Sequence, residues 1–267
     1  MPVASPPLFP QVVSEQLSLA CSVLDAELGT SIIGMHVFGS VVDGGLQPFS
    51  DLDLLVTVSE PPAEEQRQAV LMRLLDVSAP PGASTIFRPL EVTVLDHAQV
   101  TPWRYPARRE LQFGEWLREG LLSGVFEPPM ADHDLAILIT KVRLSSVTLR
   151  GPEASVLFQD VPPADLARAL LDTVRQWNQP DDWAGDERNI VLALARCWFT
   201  ACTGRICSKQ EAATWVLGQV DERHRPVVAN AREAYLGVAR DELPSSPEAV
   251  SAFVRDARRE IERQLAD

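Results

Sequence analysis

The sequence predicts an α+β N-terminal domain, in which a mixed sheet packs with helices, followed by an all-α helical bundle. Two observations support this fold class. Strand patterns alternate with helical patterns up to about residue 105, and beyond it the apolar positions follow helical spacing. We therefore predict two domains, residues 1–155 and 156–267, with a Pro- and Gly-containing linker at 151–163.

The first domain begins with a helix over residues 14–28, where apolar side chains recur at helical spacing after a serine suited to an N-cap. Strands at 31–40 and 50–59 follow, and the turn-forming residues between them indicate a hairpin-like connection. An amphipathic helix at 64–79 and a strand at 88–97 complete a small mixed sheet packed on helices.

The second half reads as helices throughout. The helical segments are ARRELQFGEWLREGLLSG, DHDLAILITKVRLSSVTL, PADLARALLDTVRQWN, DERNIVLALARCWFTACTG, SKQEAATWVLGQV, RPVVANAREAYLGVARD and PEAVSAFVRDARREIERQLA. Ser208 with Glu211 forms a capping-box pattern at one helix start, and Gly204 is expected to end the helix before it.

The charge of the chain limits its partners. The formal net charge is −13 and the sequence pI is about 4.8. Because such a protein repels polyanions, we expect no nucleic-acid partner, and a polymerase that needs a basic groove is disfavoured. An anionic substrate would need a metal ion or a local cluster of Lys and Arg.

The remaining composition indicates a cytoplasmic protein. The four cysteines form no CxxC pair, which disfavours a zinc site, and we interpret them as reduced thiols. The N-terminus lacks the pattern of a signal peptide, and no apolar stretch approaches transmembrane length, so we expect no membrane partner.

Asp51 and Asp53 stand at the start of an apolar strand, two residues apart. Side chains at i and i+2 of a strand point to the same side, so these carboxylates project together and repel unless a cation lies between them. A solvated turn is the alternative interpretation. The glycines before the strand would let its backbone approach a ligand, and the Gly39–Ser40 turn offers N–H groups and a hydroxyl to phosphate oxygens.

Glu91 is a third candidate carboxylate. It lies among Leu, Val and Thr on the strand at 88–97, a poor pattern for a surface strand, although an edge-strand Glu facing water is the alternative. If that strand lies beside the strand of Asp51 and Asp53, three carboxylates converge. Hard oxygen ligands in this arrangement suit Mg²⁺.

The motif GS, ten residues and DLD, followed by a strand-borne acid, is the signature of the polymerase-β-like nucleotidyltransferase superfamily. The blocks WRYPARRELQFGEW and DWAGDERN are more specific. Through them, nearly the whole chain from about residue 15 resembles the adenylyltransferases that modify streptomycin at 3'' and spectinomycin at 9.

The resemblance implies an N-terminal nucleotidyltransferase domain, a helical bundle and an active site in the cleft between them. It implies ATP- and Mg²⁺-dependent O-adenylylation of both drugs, with release of pyrophosphate and antibiotic resistance. Asp51, Asp53 and Glu91 would hold Mg²⁺, with Glu91 also as general base. The residues implied to bind ATP are Ser40, Ser50, Asp134, Lys209 and Tyr235.

Two of these ATP-binding residues have further interpretations. Lys209 follows a helix N-cap, where a cation is unfavourable beside the helix dipole unless a phosphate binds there. An exposed lysine is the alternative. Tyr235 could equally be a core residue.

Four residues are candidates for drug binding. A guanidinium group of streptomycin suits an aromatic face and a carboxylate, which Trp116 and Asp182 offer within the family-specific blocks. A core tryptophan and a loop-capping aspartate are the alternatives. Asp186 and Asn189 share one helix face and could contact drug ammonium groups or a second Mg²⁺, although Asp186 could simply be an N-cap.

Other functional classes fit the sequence less well. Nucleotidyltransferases that modify proteins usually lack a large helical half, and a catalytically dead binding module would be expected to have lost one carboxylate. We expect a monomer, because the implied cleft is formed by two halves of one chain.

Overall fold

The computed structural model describes residues 9–266. Residues 1–8, the first part of the segment that lacks a signal-peptide pattern, lie outside the described residues, as does residue 267. The described chain forms two compact units. The first contains the chain up to Asp132 and Val142–Gln159, and the second contains His133–Lys141 and the chain from Asp160 onward. The chain thus changes unit three times, after Asp132, after Lys141 within the helix Leu135–Leu144, and after Gln159, whereas the sequence predicts one boundary after residue 155.

The helices and strands follow in chain order. Up to residue 157 they are α1 (Gln11–Leu28), β1 (Ile32–Phe38), β2 (Leu52–Val58), α2 (Glu64–Leu74), β3 (Leu90–Asp96), α3 (His97–Val100), β4 (Ala107–Arg109), β5 (Leu111–Phe113), α4 (Arg118–Leu122), β6 (Met130–Asp132), α5 (Leu135–Leu144), β7 (Val147–Arg150) and α6 (Ala154–Leu157). Beyond it they are α7 (Pro163–Val174), α8 (Glu187–Thr203), α9 (Lys209–Leu217), α10 (Arg225–Tyr235) and α11 (Pro247–Ala266).

A five-stranded mixed sheet in the order β5-β3-β2-β1-β7 forms the centre of the first unit. β1 and β2 pair antiparallel, which confirms the predicted hairpin-like connection, and β2 pairs parallel with β3. β4 and β6 form a separate two-stranded sheet. Leu54, Val56 and Val94 of the central strands are fully buried and pack in one core with Leu24 of α1. The core therefore fixes the central strands from which the site residues project.

The prediction that strand patterns end near residue 105 is wrong. The segment ARRELQFGEWLREGLLSG contains β4 and β5, and only Arg118–Leu122 is an α-helix. Leu111 and Phe113 are buried on either side of the half-buried Gln112, which is the period of a strand, and β5 completes its hydrogen bonds on β3. The predicted helix from residue 132 ends at Leu144, after which the β7 segment pairs with β1.

The second unit is helical, as predicted. α8 is central, and it packs with α9, α10 and α11 around a core that includes Trp198, Phe199 and Phe253. Gly204 ends α8 with a left-handed φ of 67°, and the Ser208 hydroxyl accepts the Glu211 N–H at 3.2 Å at the start of α9. These contacts confirm both predicted helix ends. Taken with the mixed sheet of the first unit, they confirm the predicted fold class.

Among the helices of residues 9–266, none combines the length and the apolar character that a bilayer span requires.

Replacing Phe253 with alanine tests how far the helical core depends on its packing. Phe253 is fully buried and its ring meets the His224 ring edge-on, with centroids 5.9 Å apart. We expect F253A to lower the free energy of unfolding by about 3–5 kcal/mol, because it leaves a cavity. The matched control is V238A, at a side chain that is 74% exposed, with an expected change within about 0.5 kcal/mol. Urea unfolding measures both, and equal effects would contradict the packing argument.

Candidate active site

Three carboxylates converge at the start of the β2–β3 pair. Parallel pairing places Asp53 directly opposite Glu91, so their side chains leave the same face of the sheet. Asp51 stands one residue before β2. One oxygen from each of Asp51, Asp53 and Glu91 lies within 4.8 Å of the others, and all three residues are half-buried. The structure thus brings together the three residues that the sequence predicts as a metal site.

Gly39 allows the backbone to lie directly against this cluster. Its φ is +80°, and a Cβ built on it would stand 1.7 Å from Oδ2 of Asp53. No side chain fits at that distance. The turn after β1 can approach the Asp53 carboxylate only because residue 39 is glycine.

The two predicted phosphate-binding serines lie in different surroundings. The Ser40 hydroxyl oxygen is buried and has no hydrogen-bond partner among the described residues. A buried hydroxyl without a partner is costly, and a ligand oxygen would satisfy it. Ser50 is 3% exposed, and its hydroxyl oxygen accepts the Gln47 N–H at 3.0 Å. Ser50 therefore closes a turn just before Asp51.

Gln112 of β5 is an additional neighbour of the cluster. Its Nε2 donates to Oε1 of Glu91 over 3.4 Å. The helix predicted for this segment hid Gln112 from the sequence-based site, and the apolar, polar, apolar order of LQF was the signal for a strand.

The remaining predicted nucleotide-binding residues lie in the second unit. Lys209, the first residue of α9, places its Nζ 5.5 Å from the centre of the Tyr235 ring, a cation–π distance. Asp134 precedes α5, and its Oδ1 accepts the Thr173 hydroxyl at 2.7 Å. Tyr235 is half-buried at the end of α10, so it is not a fully enclosed core residue.

Trp116 and Asp182 differ in how they are held. Trp116 is 61% exposed, unlike a core tryptophan, and its ring lies against Gly114, where a Cβ would stand 2.2 Å from it. Asp182 is exposed, and its Oδ2 accepts the backbone N–H groups of Asn178 at 2.6 Å and Gln179 at 2.9 Å. These two bonds hold the pKa of the Asp182 carboxyl below its usual value, and the bond from Gln179 has the larger effect. The carboxylate therefore orders its own turn, as the loop-capping interpretation holds.

Asp186 occupies the N-cap position of α8, but its side chain makes no hydrogen bond to the helix backbone. Its Oδ1 instead accepts the Asn189 side-chain amide at 2.6 Å. The structure thus brings the two residues into contact on one face at the start of α8.

Comparison with known proteins agrees with both halves of the chain. A nucleotidyltransferase domain model matches residues 22–84, and the model of the C-terminal domain of aminoglycoside adenylyltransferases matches residues 156–260. An aminoglycoside (3'')(9) adenylyltransferase of Escherichia coli is 49% identical over 249 residues, 93% of this chain and 95% of the relative.

The chain belongs to the aminoglycoside adenylyltransferase family.

Further family members agree with this assignment. A spectinomycin 9-adenylyltransferase of Staphylococcus aureus is 38% identical over 89% of this chain and 90% of its own length. A crystal structure of a spectinomycin adenyltransferase from Enterococcus faecialis, with ATP and spectinomycin, superposes with a TM-score of 0.87 at 28% identity. It covers 93% of this chain and 99% of that chain. The protein is therefore an enzyme of the nucleotidyltransferase class.

The carboxylate cluster of this adenylyltransferase fits a divalent cation. All three side chains are carboxylates, the hard oxygen donors that Mg²⁺ prefers, and they present oxygens to one small region. Two unit charges about 5 Å apart repel by about 3 kcal/mol at an effective dielectric constant near 20. A bound cation would offset this repulsion, and the buried Ser40 hydroxyl would suit a ligand oxygen nearby.

Gly39→Ala tests whether the approach of the turn to Asp53 matters. The new methyl group would displace the Asp53 carboxylate, so we expect loss of Mg²⁺-dependent ATP binding, measured by calorimetry. Gly45→Ala is the matched control. Gly45 also has a positive φ, +89°, but nothing lies within 4 Å of its Cβ position. Equal losses in both variants would attribute the effect to backbone strain rather than to the carboxylate.

Proposed function

We propose that this enzyme transfers the adenylyl group of ATP, with Mg²⁺, to a hydroxyl of streptomycin and of spectinomycin, and thereby confers resistance. The convergence of Asp51, Asp53 and Glu91 on the paired strands β2 and β3 carries the proposal. The names of two family members, which match 93% and 89% of this chain, support both drugs as acceptors. ATP as co-substrate is supported by the ligands of the structural neighbour.

In the proposed reaction the drug hydroxyl oxygen bonds to the α-phosphorus of ATP. The bond from that phosphorus to the bridging oxygen of the β-phosphate breaks, and pyrophosphate leaves with the electron pair. Asp51, Asp53 and Glu91 would hold Mg²⁺, which supplies charge neutralisation for the phosphates. Chemistry of this kind needs positioned charges more than covalent assistance from the protein.

Glu91 is proposed to take the proton of the drug hydroxyl. Its position on β3 is fixed by the pairing with Asp53, and Gln112 contacts one of its two oxygens. A carboxylate within hydrogen-bond reach can accept the proton as the new bond forms. Ser40 is proposed to donate to an ATP phosphate, since its hydroxyl is buried and has no hydrogen-bond partner within residues 9–266. Ser50 is proposed to act from the adjoining turn.

The nucleotide is also proposed to contact Asp134, Lys209 and Tyr235. Lys209 places a positive charge at the start of α9, where the helix dipole also favours phosphate. The contact of its Nζ with the Tyr235 ring orients the lysine side chain. Asp186 and Asn189 are proposed to bind drug ammonium groups through the acidic start of α8.

Glu91→Gln should leave the fold and ATP binding largely intact and reduce adenylylation of both drugs by about 10²–10⁴-fold, since it removes the proposed base. Drug-dependent release of pyrophosphate measures the rate. Glu119→Gln, at an exposed glutamate of α4, is the control and should keep the full rate. Near-native turnover by E91Q would show that another group accepts the proton.

Trp116 and Asp182 are proposed to select streptomycin by each binding a guanidinium group. We expect W116A and D182N to lose streptomycin modification while keeping much of the spectinomycin activity. Each substitution removes a group that a guanidinium can contact, so binding of the drug that carries guanidinium groups should weaken the most. Asparagine at 182 retains an acceptor oxygen for the turn, so the substitution removes mainly the charge. Parallel assays with the two drugs measure the selectivity.

Two controls accompany this experiment. L122A is the control for W116A, because Leu122 is also an exposed apolar side chain (64% exposed). D181N is the control for D182N, because it neutralises the exposed acid next to Asp182. Equal loss of both activities, together with a lower melting temperature, would mark Trp116 and Asp182 as structural residues.

A further inference from the structure

We infer that Arg88 is a positioning residue for the metal cluster, because its side chain holds the turn that ends at Asp51. The inference rests on the proposed metal-binding role of Asp51. Arg88 belongs to none of the motifs described above. It lies two residues before β3, in the segment that leads to Glu91.

The Arg88 guanidinium binds two carbonyl groups of one turn. Its Nη1 donates to the carbonyl oxygen of Gln47 and to that of Ser50, each at 2.9 Å. Ser50 is the residue immediately before Asp51. Arg88 therefore ties the N-terminal side of Asp51 to the chain that carries Glu91.

The turn is closed by its own hydrogen bonds as well. The Gln47 N–H donates to the Ser50 hydroxyl oxygen at 3.0 Å, and the Ser50 N–H donates to the Gln47 carbonyl at 3.1 Å. Since the turn is already closed internally, the contribution of Arg88 is to fix where it sits relative to β3.

The sheet does not fix Asp51 by itself. The paired residues of β2 and β3 begin at Leu52 opposite Leu90, with the Leu52 N–H donating to the Pro89 carbonyl at 2.9 Å. Asp53 and Glu91 lie inside this ladder, whereas Asp51 lies one residue outside it. The Arg88 contacts hold the residue before Asp51 and the ladder holds the residue after it.

Charge and geometry predict opposite effects of Arg88 on a cation. A positive guanidinium near the acidic cluster would weaken cation binding through Coulomb repulsion. Positioning of Asp51 would strengthen it, since residues that orient metal ligands typically change metal affinity by about 10–100-fold. Whether Mg²⁺ affinity rises or falls when the Arg88 side chain is removed therefore distinguishes the two roles.

The backbone of Arg88 is anchored independently of its side chain. Its N–H donates to Oε1 of Gln16 at 3.0 Å, and its carbonyl accepts Nε2 of Gln16 at 2.8 Å. A substitution at Arg88 keeps these contacts with α1, so it removes the guanidinium contacts without releasing the chain.

The test compares R88M and R88K with the wild-type protein. We expect R88M to accelerate amide hydrogen exchange of residues 47–52 in the metal-free protein and to raise the half-saturating Mg²⁺ concentration for ATP binding by about 10–100-fold. Calorimetry at fixed ATP measures the second effect. R88K should show a smaller rise in the half-saturating Mg²⁺ concentration than R88M, because an ammonium group can also donate to both carbonyls. R150M is the control, since it removes a two-contact pair with Asp25 in the same unit.

Three outcomes would overturn the inference. Tighter Mg²⁺ binding by R88M would show an effect of charge alone, and an unchanged Mg²⁺ dependence would show a structural role only. If amide exchange of residues 47–52 is the same in R88M as in R150M, the guanidinium does not hold the turn. Failure of the wild-type protein to adenylylate either drug would instead contradict the proposed function, and the exchange and calorimetry results would still decide the role of Arg88.

Discussion

The parallel pairing of β2 with β3, with Asp53 opposite Glu91, is the constraint on which the candidate site depends. Buried side chains of the same strands, such as Leu54 and Val92, fix this register from the core. A slip of one residue would turn every side chain of a strand to the other face and separate the two carboxylates. Hydrophobic burial thus holds together two like charges that would otherwise move apart. The same burial gives the core its stability and the site its geometry.

How far the sequence predicts the site follows from the same pairing. Asp51 and Asp53 share a side because of strand periodicity, and Glu91 joins them because consecutive strands are often neighbours. These local rules and the family motif predicted the cluster correctly as a group of neighbours. Gln112 and Arg88 were missed because their contacts join residues 21 to 41 positions apart in the sequence. No local pattern encodes such contacts.

The same distinction explains which elements were predicted. Long elements with strong periodicity, such as α8 and β2, follow from the sequence alone. β4 and β5 have only three residues each and are extended because they pair with β6 and β3. Their β-structure depends on these tertiary contacts, because an alternation over three residues is too short to outweigh the helical pattern of the segment around it. The β5 strand is also the one that brings Gln112 to Glu91, so the fold error and the missed site residue have the same origin.

The acids of the two units differ in what stabilises their charge. In the cluster of the first unit, carboxylates face one another, and a divalent cation is the natural complement to their repulsion. Asp182 in the second unit is instead stabilised by two backbone N–H groups, which keep its pKa low and its carboxylate oriented without a metal. A carboxylate ordered in advance loses little conformational freedom when it binds a cationic group. This difference supports the two proposed roles, in which the cluster holds a metal ion beside the nucleotide phosphates and Asp182 binds an organic cation directly.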